Sequence, residues 1–136
     1  MQPYLHTVQY YETDQMHITH HSNYIRWMEE ARVAFLDGLG WGYDRLEAMG
    51  LISPVTAVHA NYHRPSRFHE VIAITVRLKS YKGVRLVLDY EMRNHETDVL
   101  VCSGTSEHCF LDGNGRVLRL TRACPELDAA LQALLP

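Results

Sequence analysis

What this chain has little of narrows its class before any motif is read. No run approaches the roughly 20 apolar residues that a membrane-spanning helix needs. The first residues, MQPYLHTVQYYETD, hold no basic stretch leading into an apolar one of the kind that directs secretion. Lys and Arg number 13 against 16 Asp and Glu, which leaves neither a basic footprint for nucleic acid nor a polybasic membrane anchor. Cys102, Cys109 and Cys124 are odd in number and form no C-x-x-C pair. They fit free thiols in a reducing, cytoplasmic setting better than a disulfide framework or a zinc knuckle. Also absent are a G-x-S-x-G elbow, a G-x-x-x-x-G-K-[ST] loop, a G-x-G-x-x-G turn and an H-E-x-x-H helix, so serine-hydrolase, phosphate-cradling and zincin chemistry have no local support. What is left, 136 residues of which 46% are apolar, has the size and composition of a single domain over 1–136.

The apolar residues change period along the chain. Leu5 to Tyr11 alternates loosely and reads as a short strand, followed by a polar, His-rich loop over Glu12–Ser22. From Asn23 to Leu39 the apolar positions Tyr24, Met28, Ala31, Phe35 and Leu39, with Trp27 and Ala34 beside them, mark one face of a helix of about four to five turns. Ser22 or Asn23 is suited to cap it, Arg26 and Glu30 are spaced to pair on its other side, and Gly38 and Gly40 suit its end. Tyr43–Met49 fits a short second helix closed by Gly50. Beyond it the period is two. Strands are expected over Ile52–Tyr62, over 72–79 and 86–93 joined by a turn at Lys82-Gly83, and over Val99–Leu111. Asp112-Gly113-Asn114-Gly115 signals a turn that folds Val117–Leu120 back, and Pro125 opens a last helix over about 125–134. A strand, a long helix and then a run of strands argue for an α+β fold, an antiparallel sheet covered by that helix.

One segment concentrates chemistry. Between Tyr11 and Tyr24 lie Glu12, Asp14, His17, His20 and His21, directly ahead of the long helix. A helix start presents unpaired N–H groups and roughly half a positive charge, which stabilise a carbonyl oxygen as negative charge develops on it. A carboxylate on the lead-in loop can act on the same carbonyl carbon as nucleophile or general base. That combination suits acyl transfer. The plainer reading of such a loop is an acidic lead-in that only solvates or caps the helix, and for Glu12 a surface or turn position is the expectation.

The string YETDQMHITHHSNYIRWMEEAR, from Tyr11 to Arg32, resembles the signature of the 4-hydroxybenzoyl-CoA thioesterase-like branch of the hotdog-fold superfamily. It is similar above all to short bacterial acyl-CoA thioester hydrolases, including the Tol–Pal-associated type. Their Thr-Asp pair falls on Thr13-Asp14, their His-x-Asn-Tyr on His21-Ser22-Asn23-Tyr24, and their aromatic and acidic helix positions on Trp27 and Glu29. A looser block, Ala60 to Phe68, resembles the family's Tyr-x-x-Pro-Ala stretch. Two positions depart from the pattern: His17 stands where the turn usually has Gly, and His69-Glu70 where an acidic pair is common.

The resemblance implies about five antiparallel strands wrapped around one long central helix, and a homodimer or homotetramer. It implies hydrolysis of an acyl thioester of coenzyme A or acyl carrier protein, with no metal and no other cofactor. Asp14 is then the catalytic carboxylate, as nucleophile or as the base that activates water, and the backbone N–H of His21, seven residues on, the oxyanion donor. Asn23, Tyr24 and Trp27 become candidate substrate contacts, with capping, loop-holding or core packing as their plainer roles. Lys82 matches a basic position that touches the nucleotide in related enzymes, and Arg85 and Arg64 are further cations for it. A zinc site built from His17, His20, His21 and Asp14 is conceivable by residue type but not expected. Two rival functions remain open: a dehydratase or hydratase on acyl thioesters, and a non-catalytic acyl-CoA-binding or scaffold protein.

Overall fold

A computed structural model describes residues 2–136, so that of the expected domain only Met1 lies outside the described residues. In chain order they form β1 (Tyr4–Thr7), a 3-10 turn (Tyr10–Glu12), α1 (Ser22–Gly38), α2 (Tyr43–Ala48), β2 (Val55–Tyr62), β3 (Val71–Tyr81), β4 (Leu86–Asn94), β5 (Leu100–His108), α3 (Leu120–Ala123) and α4 (Pro125–Gln132). The five strands make one antiparallel sheet in the order β1-β3-β4-β5-β2. Alternation in β3 and β4 puts Ile72, Ile74, Leu78, Leu86, Leu88, Tyr90 and Met92 on one face, all buried. Across that face α1 lays Tyr24, Trp27, Met28, Ala31, Phe35 and Leu36, and each large side chain so buried contributes about 1.5–3 kcal/mol. Gly104, opposite Tyr90 and Ala60, admits the helix: a methyl group there would overlap the Met28 side chain and the His59 carbonyl oxygen. The result is the sheet wrapped around one helix that the hotdog resemblance implies.

Several boundaries differ from expectation, each for a local reason. The first strand stops at Thr7 because the Glu12 carboxylate draws the Gln9 N–H into a 3-10 turn. The second starts at Val55, after Pro54, which has no N–H for a ladder, and Ile52 makes only an isolated bridge to Leu111. β5 ends at His108, and Val117–Leu120 forms no strand: Val117 bridges Leu111, and Leu120 already begins α3. The Lys82-Gly83 turn is as expected, with Gly83 at φ +90°. The last helix keeps Pro125 in its first turn and runs to Gln132.

On α1 the capping residue is His21, without a side-chain cap, because Ser22 bonds His20 and Asn23 reaches back to Glu12. Glu30 does not pair with Arg26; it accepts from Tyr4 Oη (2.7 Å) and faces His6 Nδ1 (3.0 Å). The buried face is also rotated from the expected one: Arg32 and Leu36 are inside, while Ala34 is exposed.

Arg32 is a buried cation whose partners are hydroxyl groups. It donates to Tyr43 Oη (3.0 Å) and Tyr90 Oη (3.2 Å), and Tyr90 continues through Ser106 Oγ (2.7 Å) to His108 Nε2 (2.7 Å). His108 is 1% exposed; burial, reinforced by the nearby Arg32 charge, pushes its imidazole down to about 4. The folded chain therefore holds His108 neutral, while the unfolded chain takes up a proton below the ordinary value of about 6.5. Between those two values the unfolded state binds more protons, so stability is full above pH 6.5 and falls as pH drops toward 4. The loss across that window is on the order of 3 kcal/mol at about 1.4 kcal/mol per pH unit. Urea denaturation at pH 7.5 and pH 5 is expected to show this slope in the native chain and a flatter one in His108→Gln.

Candidate active site

Two carboxylates two residues apart leave the 3-10 turn into opposite surroundings. Glu12, expected at the surface, is 4% exposed and points into the core. Its Oε1 accepts from the Gln9 N–H (2.8 Å) and meets His6 Nε2 (2.8 Å), and its Oε2 accepts from Trp27 Nε1 (2.7 Å). Burial works against its charge, but these hydrogen bonds outweigh that and hold the carboxyl below its ordinary value. Asp14 instead sits half-buried in a tight hairpin closed by a Thr13–Thr19 bridge and by Asp14 N–H to Ile18 O (2.9 Å). His17, where the family pattern has Gly, occupies the left-handed region at φ +64°, a region that His enters more readily than most side chains. Asp14 Oδ1 accepts from the Met16 N–H (2.8 Å), and Oδ2 has no partner among the described residues.

The helix start is held by the main chain of Glu12. Its carbonyl oxygen accepts from the His20 N–H (2.8 Å) and from Asn23 Nδ2 (2.9 Å). The Ser22 N–H turns to His20 Nδ1 (3.2 Å), and the Asn23 N–H to His20 O (3.0 Å). The His21 N–H has no acceptor among the described residues. Opposite lies the segment leaving β2. Tyr62 donates to His21 O (3.3 Å), and buried Ser66 meets Tyr24 Oη (2.8 Å) and Thr19 Oγ1 (2.6 Å) while its carbonyl takes the Thr19 N–H (2.8 Å).

Between these walls runs a groove of about 460 Å³, within the range of small-molecule sites. Asp14, His21, Tyr24, Tyr62, His63 and Arg64 line it, with Met16, Ile18 and Pro65 as apolar wall. Burial pushes the Tyr24 and Tyr62 phenols up, so both stay neutral near pH 7. Cys102, paired with Tyr62 across the sheet, is held by burial at about 12 and is no thiolate nucleophile.

Of the residues singled out in the sequence, Asp14, His21 and Tyr24 meet in this groove. Asn23 does not line it, because its amide is occupied in holding the loop at Glu12 O and His20 O. Trp27 does not either: it is fully buried, with its N–H on Glu12. Lys82 and Arg85 lie at the other end of the sheet. Leu86 stands in the row of His108 and Met92 in that of Cys102 and Tyr62, about 20 Å apart at 3.3 Å per residue. Arg85 is also paired with Glu107. Arg64 is the cation that reaches the groove, and its guanidinium has no ion pair or hydrogen bond among the described residues. The His20 and His21 rings stack at 4.3 Å, and among the described residues no three His, Cys, Asp or Glu converge on a possible metal position. Glu12, Thr19 and Ser66 were missed as parts of the site's frame, since nothing in a polar loop marks which members turn inward.

The family model described as "Thioesterase-like superfamily" matches residues 8–135. The chain belongs to this superfamily. It is 30% identical over 125 residues to a Bacillus subtilis protein named "Putative acyl-CoA thioesterase YneP", covering 92% of this chain and 91% of that one. Among solved structures, DHNA-CoA thioesterase from Staphylococcus aureus matches at TM-score 0.92 with 29% identity, covering 97% of this chain and 89% of that one. A hypothetical protein from Thermus thermophilus matches at TM-score 0.90 with 33% identity, over 98% and 99% of the two chains. In this thioesterase-like chain the groove wall depends on Ser66, whose hydroxyl joins Tyr24 to Thr19 out of reach of water. Ser66→Ala leaves the Tyr24 hydroxyl without its partner, whereas Thr19 Oγ1 still donates to the carbonyl of residue 66 (3.1 Å), and is expected to cost about 1–3 kcal/mol in urea denaturation at pH 7.5.

Proposed function

We propose that this chain is an acyl-CoA thioester hydrolase that releases a free carboxylic acid and coenzyme A. The observation that carries the reading is the pairing, in one groove, of a carboxylate with a free oxygen and a helix-start N–H with no acceptor. The thioester carbonyl sits between them, its oxygen toward the His21 N–H and the positive end of α1, where developing negative charge is stabilised. Asp14 drives addition at the carbonyl carbon, by attacking it or by taking a proton from the water that does. Collapse of the adduct expels the thiolate, which leaves as coenzyme A after protonation; on the attacking route water then cleaves the Asp14–acyl anhydride, freeing the acid and restoring the carboxylate. Thioesters are activated acyl donors, so this set suffices, and the reaction as proposed uses no metal and no redox cofactor. The names carried by similar proteins agree with this chemistry.

Arg64 is assigned to a phosphate of the substrate's phosphopantetheine arm, which coenzyme A and acyl carrier protein share. The assembly best supported is a homodimer joined along β2. This edge strand is eight residues long and exposed, with Val55, Val58 and Tyr62 open, whereas the other edge, β1, has only four residues. Three free cysteines, two of them buried, fit a cytoplasmic setting. No helix among the described residues is long and apolar enough to cross a membrane.

Free-thiol release from a panel of short, long and aromatic acyl-CoAs tests the reading. Asp14→Asn is expected to lower kcat by about 100-fold or more, the scale of a missing acid–base group. Saturable binding without turnover, unchanged in Asp14→Asn, would move the assignment to a binding protein; turnover of enoyl or 3-hydroxyacyl thioesters without thiol release would move it to a hydratase. Arg64→Gln is expected to raise KM for acyl-CoA about two- to five-fold at low salt, the scale of an exposed ion pair. It should leave KM unchanged for the matching N-acetylcysteamine thioester, which has no phosphate.

A further inference from the structure

We infer that Glu12 is a positioning residue for the proposed hydrolysis: its buried carboxylate sets the spacing between the Asp14 carboxylate and the His21 N–H. This rests on the hydrolase reading of the groove. The carboxylate is gripped from three elements at once, by His6 of β1, by the Gln9 N–H of the 3-10 turn and by Trp27 of α1. His6 is fixed in turn, its ring 4.5 Å from that of Trp27 and its Nδ1 3.0 Å from Glu30. The carbonyl of the same residue takes the His20 N–H and the Asn23 amide. Asp14 follows Glu12 by two residues, and His21 follows His20 directly. Both reacting groups thus hang from the main chain of one residue that is anchored by its side chain. Neither of them contacts Glu12, and Glu12 does not line the groove.

Charge matters here as well as shape. Three donors converge on two carboxylate oxygens, and every lone pair they use belongs to an acceptor-only group. A glutamine of the same size would turn an NH₂ group toward Trp27 or toward His6 and Gln9, donor against donor. Relief of that clash moves the turn, and with it Asp14 relative to His21. An oxyanion donor works over a few tenths of an ångström, and misplacement by about 1 Å costs on the order of 100-fold. The walls that hold substrate have a hold of their own: the Tyr24 ring packs on Trp27 at 4.8 Å, but its hydroxyl is fixed by Ser66, and Arg64 touches neither Glu12 nor its donors. The loss should therefore fall on kcat and spare KM.

The experiment is a double-mutant cycle on the full chain, with kcat and KM read on the best acyl-CoA of the panel and folding checked by thermal unfolding. Glu12→Gln is expected to lower kcat roughly ten- to 100-fold with KM within about three-fold, and to add almost nothing once Asp14→Asn is present. Trp27→Phe keeps the ring and two of the three donors and should lower kcat by less, again with KM held. If Asp14→Asn is inactive while Glu12→Gln stays within about two-fold of the native kcat, the positioning role is overturned and the hydrolase reading stands. An equal loss from Glu12→Gln in both backgrounds, or a loss confined to KM, also overturns it. Full turnover by Asp14→Asn removes the hydrolase reading and this inference together. Should Glu12→Gln fail to fold, Trp27→Phe decides: a lower kcat at constant KM supports the role, and an unchanged kcat overturns it.

Discussion

A carboxylate kept charged out of water has to be surrounded by donors, and Glu12 is the one buried carboxylate among the described residues. Its donors come from a strand, a turn and a helix, so the three can be satisfied only in one mutual arrangement. Removing any of them leaves the charge partly unmet, which is more costly than losing an ordinary hydrogen bond. This is why the first strand is short, why the chain tightens into a 3-10 turn, and why α1 begins where it does without a side-chain cap. The Asp14 hairpin and the His21 N–H inherit their positions from that arrangement.

The far half of α1 is held by the same kind of interaction with the opposite charge. Arg32 lies under the sheet with tyrosine hydroxyls for partners, and the chain through Ser106 ends at a neutral His108. Between these two polar anchors the contact of helix with sheet is apolar: Met28 and Ala31 are buried, as are Ile74, Tyr90 and Met92 of the sheet, and Gly104 permits the close approach of Met28. Apolar stripes tolerate rotation and slippage, whereas directed hydrogen bonds do not. Anchors at both ends fix the rotation of α1, which explains why Arg32 and Leu36 are inside and Ala34 outside. A sheet so covered leaves β2 as its long open edge, and that edge carries Tyr62 at the groove.

Much of this fold could be read from period alone. The alternation of Ile72, Ile74 and Leu78 against Leu86, Leu88 and Tyr90 defines the central hairpin, and the spacing of Tyr24, Met28, Ala31 and Phe35 defines α1, because both follow from simple geometry of strand and helix. His17 as a left-handed turn residue was also legible, from the Gly it replaces. The buried polar residues were not. Glu12, Arg32, Ser66 and His108 look like surface residues in a one-dimensional pattern, since only their tertiary partners make burial tolerable. Lys82 and Arg85 were assigned toward the nucleotide on family likeness; strand register places them at the other end of the sheet from Asp14. Register accumulates over three strands and two turns, so no local pattern contains it.

Glu12 and Asp14 then make a single physical point. They are carboxylates two residues apart in a loop where both could be solvated, and their surroundings send them to different work. Glu12 has both oxygens bonded within the fold and does not line the groove. Asp14 gives one oxygen to a single backbone N–H, enough to orient it, and keeps the other unbound beside an N–H that lacks an acceptor. Groups at the edge of a groove that the fold leaves unpaired are free for a substrate that supplies an acceptor and an electrophile. In the proposed reaction a thioester carbonyl supplies both, the oxygen for His21 and the carbon for Asp14. On that proposal the groove is complementary to the reacting group itself, and the acyl chain is left to the apolar wall of Met16, Ile18 and Pro65.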